Sequence, residues 1–151
     1  MPSKNIKKNF NYSVDLLEKL VLDIDLYKEF LPWCNNSTII SKVKKENKLE
    51  IVADLEIGYS FAKDTYRSLV EYDNKNKKIV VSAIDGPVKN LKNIWIFKEI
   101  SKNQCEISFF IDLELKNFLL NKMLSKFFDL GFNKILNSFE SRAEYLNNLN
   151  N

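Results

Sequence analysis

Trp33, Tyr66 and Trp95 are the side chains best suited to hold a small ligand, because each joins a flat apolar ring to one N–H or O–H donor. The two tryptophans fall in unusual surroundings: Tyr27-Lys28-Glu29-Phe30-Leu31-Pro32-Trp33-Cys34 in one case, and Trp95-x-Phe97 shortly after Asp85-Gly86-Pro87 in the other. Catalytic chemistry is poorly supplied by comparison. The chain has no histidine, which removes Ser-His-Asp and Cys-His machinery and most zinc sites. Cys34 and Cys105 match no metal or redox spacing and read as packing residues, and no metal or cofactor is expected. Gly58, Gly86 and Gly131 are too far apart for a phosphate-binding loop. Turnover would need a lysine, tyrosine or carboxylate with a strongly displaced pKa, and the carboxylates are scattered singly.

The bulk properties frame this as one domain over residues 1–151, large enough to bury roughly two thirds of its unfolded surface. There is no run of 18 apolar residues, and the stretch Leu16 to Leu26 is broken by Glu18, Lys19, Asp23 and Asp25. Neither a membrane span nor a signal peptide is expected, so the reading is cytoplasmic, with peripheral contact at the inner face of the inner membrane as a variant. Net charge is +3, and of 23 basic residues only Arg67 and Arg142 are arginines. Arginine's planar fork reads bases and phosphates in pairs of bonds, so this shortage argues against sequence-specific nucleic-acid binding.

The elements that must position the aromatics follow from periodicity. A strand from Ile6 to Phe10 precedes Ser13, a predicted N-cap for a helix to about Leu22. A second short helix, Asp25 to Leu31, is expected to stop at Pro32, which lacks an N–H and disfavours helix in its predecessor. From Ser37 the pattern alternates, with Leu49, Ile51, Ala53, Leu55 and Ile57 facing one way. Four later segments repeat that signal around Tyr66 to Tyr72, Ile79 to Ile84, Leu91 to Phe97 and Cys105 to Leu113, divided by turns at 73–76 and 101–103. After Asn117, a predicted N-cap, the period becomes 3.6 and persists to about Leu149, or ~48 Å of helix. Its first half is apolar round most of the circumference and calls for cover on more than one side, from the short helices or a ligand.

The Y-x-x-F-L-P-W-C segment, the D-G-P turn and the W-x-F strand resemble those of the coenzyme-Q-binding START-domain family, over about Ile6 to Leu146. Bacterial members of that family include RatA-type ribosome-association toxins. The resemblance implies an α+β helix-grip fold: a curved antiparallel sheet of six to seven strands around a long C-terminal helix, with two short helices after the first strand. It also implies an apolar tunnel holding ubiquinone or a related isoprenoid lipid, bound as cargo and not as a catalytic cofactor. Delivery to respiratory complexes would follow, or, in the RatA-like alternative, binding to the large ribosomal subunit through Lys42, Lys44, Lys45 and Lys48 and through Lys75, Lys77 and Lys78.

A quinone needs a dry wall and one or two donors for its carbonyls. The helix side of such a wall falls on Phe127, Phe128, Gly131, Phe132 and Ile135, and the sheet side on Tyr66, Val70, Phe109, Ile111 and Leu113, with Trp95 and Phe97 beside them. Leu31, Pro32 and Trp33 read as an apolar lip at the mouth that touches the membrane surface transiently. Periodicity identifies the inward face and nothing more, so for each phenylalanine or leucine of the wall core packing is the first expectation and ligand contact the second, while for Pro32 and Trp33 a lip and a plug of the core stand level. Gly131 costs its helix about 1 kcal/mol relative to alanine, which a close approach by ligand or strand would explain. Asp85 is expected to bond nearby backbone N–H groups within its turn. Two departures from the family pattern stand out: Val88 replaces a common phenylalanine, and Leu69 stands where a polar residue is usual.

Overall fold

The computed structural model describes residues 3–59 and 62–149. Strand β1 (Ser3–Phe10) begins a turn-length earlier than the alternation predicts. Helix α1 (Val14–Leu22) is capped as expected, the Ser13 hydroxyl accepting from the Leu16 N–H at 3.1 Å. The next segment differs from its prediction. It is a 3-10 helix, Ile24–Glu29, closed by bonds from the Phe30 and Leu31 N–H groups to the Tyr27 carbonyl, so Pro32 follows the helix end instead of making it. The Ser37 hydroxyl explains the tighter winding, since it donates to the Asp25 carbonyl at 3.1 Å and accepts from the Lys28 N–H at 3.2 Å. That tether draws the segment down onto the following strand.

Six further strands follow: β2 (Cys34–Lys45), β3 (Lys48–Tyr59), β4 (Ala62–Asp73), β5 (Lys78–Asp85), β6 (Val88–Ser101) and β7 (Gln104–Leu115). They form one antiparallel sheet in the order β1-β7-β6-β5-β4-β3-β2, with β1 aligned on β7 from Ser3 opposite Asp112 to Phe10 opposite Cys105. Register shifts in β2, near Arg67 of β4 and at both ends of β6 mark bulges, which bend a sheet and raise its twist. The sheet curves round the 32-residue helix α2 (Phe118–Leu149), giving the helix-grip arrangement that the motifs imply. Asn117 caps α2, its side-chain oxygen accepting from the Leu120 N–H at 3.0 Å.

Packing is concentrated on one half of α2. Phe132, Leu136, Phe139 and Ala143 are buried, and the Phe139 ring meets Trp95, Phe30 and Tyr27 edge-on at 5.2, 5.4 and 5.6 Å. Helix α1 covers this half and is pinned to the sheet by Glu18, a buried carboxylate that accepts from the Tyr72 hydroxyl at 2.7 Å and lies 3.6 Å from Lys77. The wide apolar face of the first half is present, but the expected cover is not. Leu119, Met123, Phe127 and Leu130 are exposed. Periodicity records how apolar a face is and carries no information on what lies opposite.

Candidate functional site

Between the concave face of the sheet and the middle of α2 lies a cavity of about 190 Å³. Leu55 and Ile57 of β3, Tyr66, Ser68 and Val70 of β4, and Ile79 and Val81 of β5 form one wall. Leu91, Asn93, Trp95, Phe109 and Ile111 continue it through β6 and β7, and Ile135 and Phe139 close the helix side. Val21, Ile24, Tyr27, Leu31, Pro32 and Cys34 complete the lining where α1 and the 3-10 helix approach β2. A larger hollow of about 490 Å³ between α1 and the end of α2 is a surface groove edged by Asp15, Lys19, Asp23 and Arg142. Its charged rim suits water, whereas the sheet cavity suits an apolar guest.

The polar groups facing the cavity are few, and most are already committed. Trp95 donates its indole N–H to the Asn93 side-chain oxygen at 2.8 Å, and the Asn93 amide donates to the Phe110 carbonyl at 2.9 Å. Ser68 donates to the Ala53 carbonyl at 3.1 Å, Tyr27 donates to the Val21 carbonyl, and the Cys34 thiol is 3.5 Å from the Asn36 carbonyl. Tyr66 differs from them. Among the described residues its hydroxyl has no hydrogen-bond partner, and burial, seconded by the neighbouring Cys34 sulfur, pushes its pKa up to about 12. Burial likewise raises the pKa values of Tyr27 and Cys34, so all three groups are neutral near pH 7.

The Asp-Gly-Pro turn holds Tyr66 in place. Gly86, at φ +112°, packs so closely on β4 that a Cβ there would lie 2.7 Å from the Tyr66 Cα. Only glycine fits both that backbone angle and that approach. Asp85 accepts from the Gly86 N–H at 2.9 Å, and the Pro87 carbonyl accepts from the Lys116 N–H at 2.9 Å, linking the turn to the end of β7.

Of the residues singled out from sequence, Leu31, Pro32, Tyr66, Val70, Trp95, Phe109, Ile111 and Ile135 line the cavity together. The others lie elsewhere. Phe97 is buried next to Trp95, the two rings parallel at 6.3 Å, and Phe132 packs against Phe109 at 5.3 Å. Phe128 is half-buried against Phe132, Leu113 is half-buried further along β7, and Phe127 is 53% exposed. Trp33, at φ 62° in the left-handed region, lays its ring over Gly131, where a Cβ would sit 3.6 Å from the indole. That is ordinary van der Waals distance, so the indole leaves room for an alanine at Gly131 and does not make the close approach expected there. Arg142 bonds Glu29 at 2.8 Å while its guanidinium lies over Phe30 and Tyr145. Ser68 and Asn93 are site residues that the sequence reading passed over, although a polar residue on the inward set of an alternating strand is the signal that marks them.

Residues 10–140 match the profile of a family described as "Polyketide cyclase / dehydrase and lipid transport". The chain belongs to this family. Within it, the chain is 32% identical over 146 residues to "Coenzyme Q-binding protein COQ10, mitochondrial" from Dictyostelium discoideum, covering 95% of this chain and 70% of that protein. It is 35% identical over 136 residues to "Ribosome association toxin RatA" from Rickettsia prowazekii, covering 88% and 90%. Among solved structures, protein CC1736 from Caulobacter crescentus superposes with a TM-score of 0.77 at 29% identity, covering 98% of this chain and 99% of that one. The Zhui aromatase/cyclase from Streptomyces matches with a TM-score of 0.76 at 14% identity, covering 95% and 93%, a likeness of fold alone. The helix-grip frame is thus shared with solved proteins at both higher and lower sequence identity.

Proposed function

We propose that the chain binds ubiquinone or a related isoprenoid lipid in the sheet cavity and carries it toward respiratory complexes without turning it over. The observation that carries this reading is the Tyr66 hydroxyl, a donor that makes no hydrogen bond among the described residues and lines an apolar cavity whose other polar groups are bonded. A quinone carbonyl is an acceptor without a proton to give, which is the complement of that donor. The likeness to a protein named for coenzyme Q binding supports the choice. A volume of about 190 Å³ is smaller than the roughly 300–1,000 Å³ of common small-molecule sites, so a ring and the start of a tail fit and the rest must run out at the mouth. Burying tail carbons is worth ~0.8 kcal/mol each from water but close to nothing from lipid, so ring shape and the Tyr66 bond must decide retention. Tyr27, Tyr66 and Cys34 stay neutral near pH 7, which suits holding a neutral guest and gives no poised acid or base.

Native purification, organic-solvent extraction and mass spectrometry test the reading. Quinone near one equivalent is expected in the wild type, with Ile135→Trp filling the cavity and abolishing retention. Tyr66→Phe should weaken binding of a short-chain quinone about threefold to tenfold, the worth of one neutral hydrogen bond. Retention should be flat up to pH 10. Above it, stability should drain as the unfolded tyrosine ionises at 10.0 while the folded one resists to about 12. A wild type that carries no lipid and binds no added quinone would sink the proposal.

A second reading is favoured by the likeness to RatA and by the β2–β3 hairpin, which exposes Lys42, Lys44, Lys45 and Lys48 round a turn at Glu46. Under it the hairpin contacts RNA phosphates of the large ribosomal subunit. Salt-sensitive co-sedimentation that disappears in Lys44→Glu with Lys45→Glu, alongside an empty cavity, would select this reading.

A further inference from the structure

The unclaimed feature is the outward face of the first half of α2. Leu119, Met123, Phe127 and Leu130 recur at helical spacing and are all exposed, so they form one continuous apolar stripe on one side of the rod. Lysines border it. Between residues 118 and 134 the helix carries Lys122, Lys126 and Lys134 against one acid, Asp129, which is already bonded to Lys4 at 3.0 Å. The Lys122 ammonium rests 5.2 Å from the Phe118 ring centre and the Lys134 ammonium 5.7 Å from that of Trp33, so stems follow the apolar surface while charges stand at its margin. Among the described residues no helix is long and apolar enough to cross a membrane, so a stripe of this kind lies on a surface instead of spanning it.

We infer that the first half of α2 is a docking face for a bilayer bearing anionic headgroups, with the stripe set into the acyl boundary and the lysines on phosphates. Charge decides the occupant: a second copy would bring like-charged lysines together, whereas an anionic lipid surface neutralises them. The inference rests on the lipid-carrier reading for its purpose, because Trp33 covers Gly131 on this same helix and the adjoining Pro32 and Leu31 line the cavity. Docking there sets the cavity's edge against the membrane from which cargo would come.

Flotation of the full chain with vesicles of phosphatidylcholine containing about a quarter phosphatidylglycerol, against pure phosphatidylcholine, tests it directly. The wild type should float with the anionic vesicles and far less with the neutral ones. Lys122→Glu with Lys126→Glu should lower anionic binding by roughly tenfold or more. Met123→Ser, Phe127→Ser and Leu130→Ser combined should lower it by at least about tenfold, and Phe127→Ser alone serves if the triple variant loses its circular dichroism. Wild type that stays down with anionic vesicles overturns the inference, as does a dimer, or co-sedimentation with ribosomal subunits, that the stripe variants abolish while vesicle binding persists. Flotation reads the surface and solvent extraction reads the cavity. Protein that floats empty defeats only the carrier reading, and loaded protein that never floats defeats only the docking face.

Discussion

The two halves of α2 are one helix with opposite fates. In the second half Phe132, Leu136, Phe139 and Ala143 are buried, and Phe139 sits at the centre of an aromatic cluster at 6% exposure. Before Phe132 the helix is at least as apolar, yet Leu119 is 70% exposed. Apolarity drives burial of the second half because α1 and the sheet supply the opposing surface. The first half is richer in apolar residues, and its outer stripe of Leu119, Met123, Phe127 and Leu130 is left exposed. Stability and surface chemistry are thereby divided along one rod.

Paired truncations would break this division most sharply. Phe139→Ala should cost about 3–5 kcal/mol in chemical denaturation, while Phe127→Ala stays within about 0.5 kcal/mol of wild type. Comparable losses at both positions would show that the outer stripe is part of the core after all. Next in size, Glu18→Ala removes the acceptor that fastens α1 over the second half and should cost about 1.5–3 kcal/mol, an effect that Tyr72→Phe should largely absorb in a double-mutant cycle. On the cavity side, Gly86→Ala forces a Cβ into the Tyr66 backbone at a left-handed φ. It should cost about 1–3 kcal/mol and lower quinone retention with it. The smallest effect has the opposite sign. Gly131→Ala meets the Trp33 ring at ordinary contact distance, so the unfolding free energy should rise by up to about 1 kcal/mol, and a fall would mean that the indole cannot accommodate a methyl group.

The sheet and the long helix were readable because each announces itself by period: alternation from Leu49 to Ile57, then 3.6-residue spacing after Asn117. The Ser13 and Asn117 caps were readable for a related reason, since both bonds close within three residues of chain. The 3-10 helix was misjudged because its winding is set by Ser37, which lies beyond it in sequence. Tyr66 and Trp95 were readable as aromatic groups with donors, but their difference was not. Trp95 spends its N–H on Asn93, a same-face neighbour two residues away, while the burial of Tyr66 depends on everything that packs around it. Contacts such as Trp33 on Gly131 join residues about a hundred positions apart, and no local pattern encodes them.

The pairing of β1 with β7 also sets a schedule for biosynthesis. Residues 3–10 find their ladder partners only when residues 105–112 have been made, a delay on the order of ten seconds at ribosomal speed. Closing so large a loop is a slow, entropy-limited step, and α2 emerges later still. A nascent chain must therefore keep its first strand from straying and its inner sheet face from sticking until the rod that fills the curve has been delivered.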